Sequence, residues 1–294
     1  MEAWIIATLA AAAVQTLRFM LQKQLRQVGL STAGATFSRF LFAVPLAVLA
    51  ALVLTGGTSP APGAAFWGWA AFGGLCQILA TAATVALFSL RNFAVGIAFT
   101  KTETVQVAVF SALLLAEPVP PAGWAAILAG FAGVVLLSRG GAAAPRFDAR
   151  ATVLGLVAGG LFGLSAIGYR AATLELDGLA AAARAAVTLA AVTAMQTGAM
   201  ALWLRLREPG EIGRVLAAWR RTLPVGVTGV AGSYGWFLAF SLQNAAVVRA
   251  VGQVEIVFTL LVSAVVFRER LRAREGVGIA LVIGSLVALV LVLR

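Results

Sequence analysis

Histidine is absent from the 294 residues, cysteine occurs once, and the only aspartates are Asp148 and Asp177, both in stretches that read as loops. Without histidine there is no imidazole acid/base catalysis, and the usual zinc sites are excluded. Two scattered aspartates do not build a carboxylate cage for magnesium. The lone Cys76 rules out an intrachain disulfide and leaves the redox compartment open. Nothing matches G-x-x-x-x-G-K-[ST], so nucleotide hydrolysis by this chain is not supported as an energy source. No cofactor or metal is implied, and the chain does not read as an enzyme.

What fills the sequence is apolar: 61% hydrophobic residues against 11% charged, with 31 glycines and a mean hydropathy of +0.98. A soluble domain could not hide that much apolar surface, so lipid is the expected solvent. The net charge of +11 would suggest nucleic acid for a soluble protein. Here the arginines fall between apolar runs, which points to anionic lipid and membrane topology instead, with no nucleic-acid partner.

Roughly 20 apolar residues cross a bilayer as a helix. On that measure ten spans are expected, near 3–27, 33–55, 64–90, 93–116, 121–138, 151–172, 180–204, 222–243, 246–267 and 275–293. The first is too long, and wrongly flanked, to be a cleaved signal peptide. Pro45 is expected to kink the second.

One stretch occurs twice. Residues 88–117 and 240–269, offset by 152, agree at 12 of 30 positions without a gap, among them Asn92/Asn244, Glu103/Glu255 and Glu117/Glu269. Matched polar residues are the telling ones in a chain with so few. Arg18 and Arg170 share the same offset, and Arg39 and Arg184 both open the second span of a half. Five spans per half force the second copy to enter the membrane from the opposite side. The expected fold is therefore an all-α integral membrane protein of ten transmembrane helices in two inverted five-helix repeats, residues 1–140 and 151–294, joined by a linker at 141–150.

The odd-numbered connections carry nearly all of the Lys and Arg outside the spans, from Lys23 and Arg26 in the first to Arg268, Arg270, Arg272 and Arg274 in the ninth. The positive-inside rule makes those loops cytoplasmic and leaves both termini outside. In the seventh connection Ile212, Val215, Leu216 and Trp219 recur at helical spacing, with Glu211 and Arg214 elsewhere, which predicts a short helix lying in the interface.

Glu103 and Glu255 fall near the middle of the fourth and ninth spans. A carboxylate at that depth needs a partner or water. Either it lines a hydrated cavity and meets a substrate ammonium group or a coupling proton, or it is locked in an ion pair with Lys101, Arg249, Arg18 or Arg170. Thr100, Glu103 and Gln106 share a helical face. Lys101 lies too deep for its ammonium to reach the interface easily, and Gln253 replaces it in the second copy. Gln15, Arg18 and Gln22 form a polar stripe on the first span, read as cavity lining or as a hydrogen-bonded seam. Gln77 and the Tyr234/Trp236 pair complete the candidate substrate route. Gly226, Gly229, Gly232 and Gly235 recur every third residue and are expected to let helices approach closely.

The paired repeats, Arg39 and Arg184, the FSL-x-N turns, and the L-A-E-P-V and F-R-E-R-L segments closing the fourth and ninth spans resemble the EamA-type branch of the drug/metabolite transporter superfamily. That branch includes YddG-like amino acid exporters, which the chain resembles. The resemblance covers nearly the whole chain. It implies a basket-like bundle around a central cavity, alternating access, and export of a small metabolite, often an amino acid, across the bacterial inner membrane. It also implies cytoplasmic termini, where the arginine distribution places them outside. A proton is the candidate coupling ion. A membrane enzyme acting on lipid-linked substrate, or a non-transporting scaffold, are the competing classes.

Overall fold

The computed structural model describes residues 2–25, 29–58, 60–90, 102–138, 149–258 and 273–292. Among them the protein is helical throughout, with no strand. In chain order the helices are α1 (Ala3–Leu25), α2 (Thr32–Leu41), α3 (Ala43–Leu54), α4 (Ala64–Leu90), α5 (Glu103–Leu115), α6 (Pro121–Ser138), α7 (Ala149–Leu174), α8 (Ala181–Arg207), the short α9 (Glu211–Ala217), α10 (Trp219–Leu242), α11 (Ala245–Val251) and α12 (Ala273–Val292). Among the described residues, six stretches are long and apolar enough to cross a membrane: Ala3–Leu25, Thr32–Leu54, Ala64–Leu87, Val153–Leu174, Ala181–Arg207 and Trp219–Leu242. Glu103–Leu115, Pro121–Leu136 and Gly276–Val292 are shorter apolar helices.

Polarity runs inside out. Leu113 is 75% exposed and Val53 68%, while Arg18, Arg39, Glu103, Gln196 and Glu255 are buried. In water that distribution would be unstable. In lipid it is the expected one, because the apolar face meets hydrocarbon and polar side chains face one another.

The second span is broken between α2 and α3 at Phe42. Pro45 accounts for the break: it offers no N–H, and its ring crowds the carbonyl of Leu41, four residues back. Ser31 begins α2 by accepting a hydrogen bond from Gly34 N on its hydroxyl. The ninth span tightens locally, with a 3₁₀ turn at Gly252–Val254 between α11 and the helical residues 255–258. Gly252 lies beneath the Trp236 indole, where a Cβ would come within 2.5 Å of the ring.

Among the described residues five contacts organise the bundle: α1 along α10, α4 along α7, α6 along α12, α5 along α7, and α3 along α8. Small residues permit the closest. On α10, Gly226 meets Phe42, Gly229 meets Arg39, and Gly232 and Gly235 meet α1 at Ala11. The glycine stripe is thus a packing surface. At the α4–α7 crossing a Cβ on Gly168 would stand 2.8 Å from Gly73 Cα and 3.0 Å from Trp69 O. Those are backbone atoms that cannot rotate away. Gly168→Ala is therefore expected to lower stability by about 1–3 kcal/mol through overpacking. Gly198→Ala, which meets nothing within 4 Å, should leave it level or raise it slightly. Melting temperatures of the two variants in one detergent check this, and equal values would refute the crossing.

Helix α9 forms over most of the stretch the spacing predicts, with Leu216 exposed and Val215 buried, while Trp219, also exposed, begins α10. Glu211 is the departure, since it is fully buried rather than turned to water. Its carboxylate accepts from Ser31 N at 2.7 Å and from Arg214 Nε at 2.5 Å. It thereby takes up a backbone N–H just ahead of α2, where helix starts leave N–H groups unpaired. Gly34 leaves room for it: a Cβ there would overlap Glu211 Oε1. Two odd-numbered connections, the first and the seventh, are joined by this contact.

Candidate functional site

The polar groups meet where α1, α5, α10 and the ninth span come together. Arg249 on α11 lies against Glu103, with Nε 2.7 Å from Oε1 and each side chain only 9% exposed. The two charged atoms are close but not aligned as a hydrogen bond, so the attraction is chiefly Coulombic. The guanidinium is covered by Trp236, 4.6 Å to the ring centroid, and by Phe240 at 5.5 Å. Cation and ring faces attract more strongly in such a desolvated place than at a surface.

From Trp236 the network continues. Its indole Nε1 donates to Gln15 Oε1 at 3.0 Å, and Gln15 Nε2 donates to Glu255 Oε2 at 3.1 Å. The two repeat-related glutamates are thus connected through Arg249, Trp236 and Gln15. Arg18, 2% exposed, donates from Nη1 to Gln22 Oε1 at 2.7 Å, and Gln22 passes its own N–H to Ala35 O at 2.9 Å. Gln15 thus reaches α10 and the ninth span and Gln22 reaches α2, while Arg18 is bonded within α1 to Gln22.

A second layer lies on the α4 side. Gln77 Oε1 accepts from Gln196 Nε2 at 3.1 Å; the same amide donates to Gly74 O and lies 3.3 Å from the Tyr169 hydroxyl. Tyr169 stacks on Phe237 with centroids 4.2 Å apart. Arg39 sits between α4 and α10, with Nη1 2.9 Å from Thr81 Oγ1 and Nη2 3.4 Å from Ser233 Oγ.

Two expected members stand elsewhere. Tyr234 points its hydroxyl at Ala182 O on α8, 3.5 Å away, not into the network with Trp236. Two helical steps turn a side chain by about 200°, so residues 234 and 236 occupy opposite faces of α10. Gln106 donates to Thr102 Oγ1 at 3.1 Å and reaches Leu156 O at 3.4 Å, in the α5–α7 seam rather than beside the Glu103 ion pair. Lys101 and Thr100 lie outside the described residues. Gln196 and the partners of Arg39 were not legible as site residues. Gln196 is the one amide in the long apolar α8, and that isolation is the signal that could have found it.

At the α5–α7–α10 end, Arg170 forms a separate cluster. It holds Glu117 through Nε, 2.9 and 2.8 Å from the two carboxylate oxygens, and through Nη2 at 2.6 Å. Its Nη1 donates to Phe240 O and Gln243 O. A crevice of about 330 Å³ lies far from both clusters, between α3, the start of α4 and α8, walled by Leu52, Pro60, Phe66, Trp67, Val187 and Ala191. No titratable side chain lines it, so it offers apolar contact and no charge chemistry.

Residues 150–291 match the model of the EamA-like transporter family. No curated protein matches the chain. A solved structure, "Crystal structure of protein", is similar over 98% of this chain and 97% of its own, with a TM-score of 0.69 at 19% identity. Identity that low carries the fold alone, over essentially the whole length of both chains.

Proposed function

We propose, with the EamA-like transporter domain over residues 150–291 as premise, that this multi-pass membrane protein is a secondary transporter. It exports a small amphiphilic metabolite, an amino acid or close analogue, across the bacterial inner membrane by alternating access. The observation that carries the reading is the buried chain Glu103, Arg249, Trp236, Gln15, Glu255. Ionisable groups in apolar spans are costly and tend to mark a pathway, and here they are paired with an aromatic wall suited to an apolar side chain. Glu103 and Glu255 are the groups that meet the substrate ammonium or a coupling proton.

Helix contacts that correspond between the two halves support the alternating-access part. Exchanging the halves turns the α1–α10 contact into the α7–α4 contact and maps α3–α8 and α6–α12 onto themselves, and both pairs of contacts are present. Thr81 and Ser233, which both touch Arg39, differ by the repeat offset of 152. The matched region 150–291 is close to the expected second repeat, 151–294. In such a design the substrate sits between the halves, and the ninth span tightens into a 3₁₀ turn just before Glu255. The arginine-rich odd connections favour the cytoplasmic side, with both termini outside.

The test is efflux from proteoliposomes loaded with amino acid mixtures, using protein purified to equal folded yield. Glu103→Gln and Glu255→Gln are each expected to lower efflux at least tenfold. Unchanged efflux in both would reduce the carboxylates to internal bracing. Turnover of a lipid-linked substrate without solute flux would replace the transporter with an enzyme.

A further inference from the structure

Among the described residues, the central network sets three guanidiniums, Arg18, Arg39 and Arg249, against two carboxylates, Glu103 and Glu255. Arg249 has Glu103. Glu255 accepts from Gln15 and attracts Arg18. Arg39, 3% exposed, has only the hydroxyls of Thr81 and Ser233 as hydrogen-bond acceptors, and the second of these is long at 3.4 Å. Arg18 Nη2 is buried and has no acceptor at all. The two arginines repel each other, and both stems pass over Gly229, at 3.2 Å and 3.7 Å from where a Cβ would stand. Arg39 thus meets only neutral hydroxyl oxygens among the described residues, and the adjacent Arg18 keeps a donor left over, which together call for an anion, since a buried donor without a partner is expensive to keep. Arginine forks suit planar oxyanions in particular, as they present two N–H groups to two oxygens.

We infer that Arg39 and Arg18 form a subsite for the carboxylate of the transported molecule, between the repeat-related hydroxyls Thr81 and Ser233. This rests on the transport reading and deepens it. Glu103 and Glu255 take the ammonium end, the two arginines take the carboxylate end, and the apolar body lies against Trp236. Arg39 acts here as a ligand for substrate, beyond its place in the repeat pattern.

The test compares probes that carry one charge or both: a panel of amino acids, their N-acetyl derivatives with the carboxylate alone, and their amides with the ammonium alone. Binding is measured on the full-length protein in detergent, and efflux in proteoliposomes. In the wild type, the acid of at least one pair is expected to bind about tenfold or more tightly than its amide, and its N-acetyl form to bind detectably. Arg39→Gln and Arg18→Gln should abolish that preference, and Arg39→Lys should restore part of it. The wild-type comparison needs no variant to fold. Equal binding of acids and amides, or failure of every carboxylate probe to bind, overturns the subsite. So does N-acetyl binding that is unchanged in both glutamine variants. Efflux of amino acids with no acid preference would leave the transporter standing and remove the subsite. Arg39-dependent carboxylate binding without amino acid efflux would do the reverse.

Discussion

Arg249→Leu is expected to destabilise the protein by about 3–5 kcal/mol, the range for breaking a buried ion pair from one side, and to abolish efflux. Glu103 is only 7% exposed, and removal of its cation strands a carboxylate among apolar walls. Leucine fills part of the arginine volume, so most of the loss is electrostatic, with a further share from the contact over Trp236 and Phe240. Glu103→Gln alone should cost less, because an arginine keeps ring faces to lie on while a bare carboxylate does not. The double variant Glu103→Gln/Arg249→Leu should recover much of the lost stability without recovering efflux. A mutant cycle on melting in detergent isolates the coupling, since the two residues touch directly. Wild-type stability in Arg249→Leu would mean that the pair is not formed in the membrane.

Glu103 and Glu255 stood out in the sequence because charge is rare there and because they repeat. Their partners were harder to read. Arg249 was one of four candidate ion-pair partners, and the structure sets it against Glu103; the repeat could not single it out, because it belongs to the second copy only, with Ile97 at the corresponding position. Arg39 and Arg184 look equivalent by position, yet Arg39 reaches Thr81 and Ser233 while Arg184 reaches Ser241 O at 3.4 Å. The break at Phe42 was legible through Pro45, because proline acts on its own backbone. The 3₁₀ turn at Gly252–Val254 was not, because it depends on the Trp236 ring packed over Gly252, 16 residues away in sequence. Glu211 shows the same limit from the other side. Helical spacing assigned it to the polar face of α9, and only the docking of α9 on α2 turned that face inward.

Arg170→Leu is the second large effect, and its origin lies in backbone as much as in charge. The C-terminal carbonyls of a helix have no intrahelical donors. On α10 two carbonyls near that end, Phe240 O and Gln243 O, accept from Arg170 Nη1 at 2.7 and 3.0 Å. The remaining guanidinium N–H groups hold Glu117, just beyond α5, in a fork. Asn244 closes the cluster. Its amide donates to Glu117 O at 3.2 Å, and its Oδ1 accepts from Ala246 N at 2.7 Å to begin α11. Arg170 therefore ties the ends of α5, α7 and α10 together, and Asn244 joins them to the start of α11. Hydrogen bonds to charged groups are worth about 1.5–3 kcal/mol each. Several go at once in Arg170→Leu, so a loss of about 4 kcal/mol is expected, less than their sum because the bonds share one guanidinium. Arg170→Lys keeps the charge but can hold either the carboxylate or the carbonyls, not both in the same planar geometry, and should fall between. Glu117→Gln, which leaves the carbonyl bonds in place, should lose less than Arg170→Leu. Melting in detergent reads the order, wild type above Glu117→Gln above Arg170→Leu, and inversion of the last two would show that the ion pair, rather than the α10 terminus, holds the cluster together.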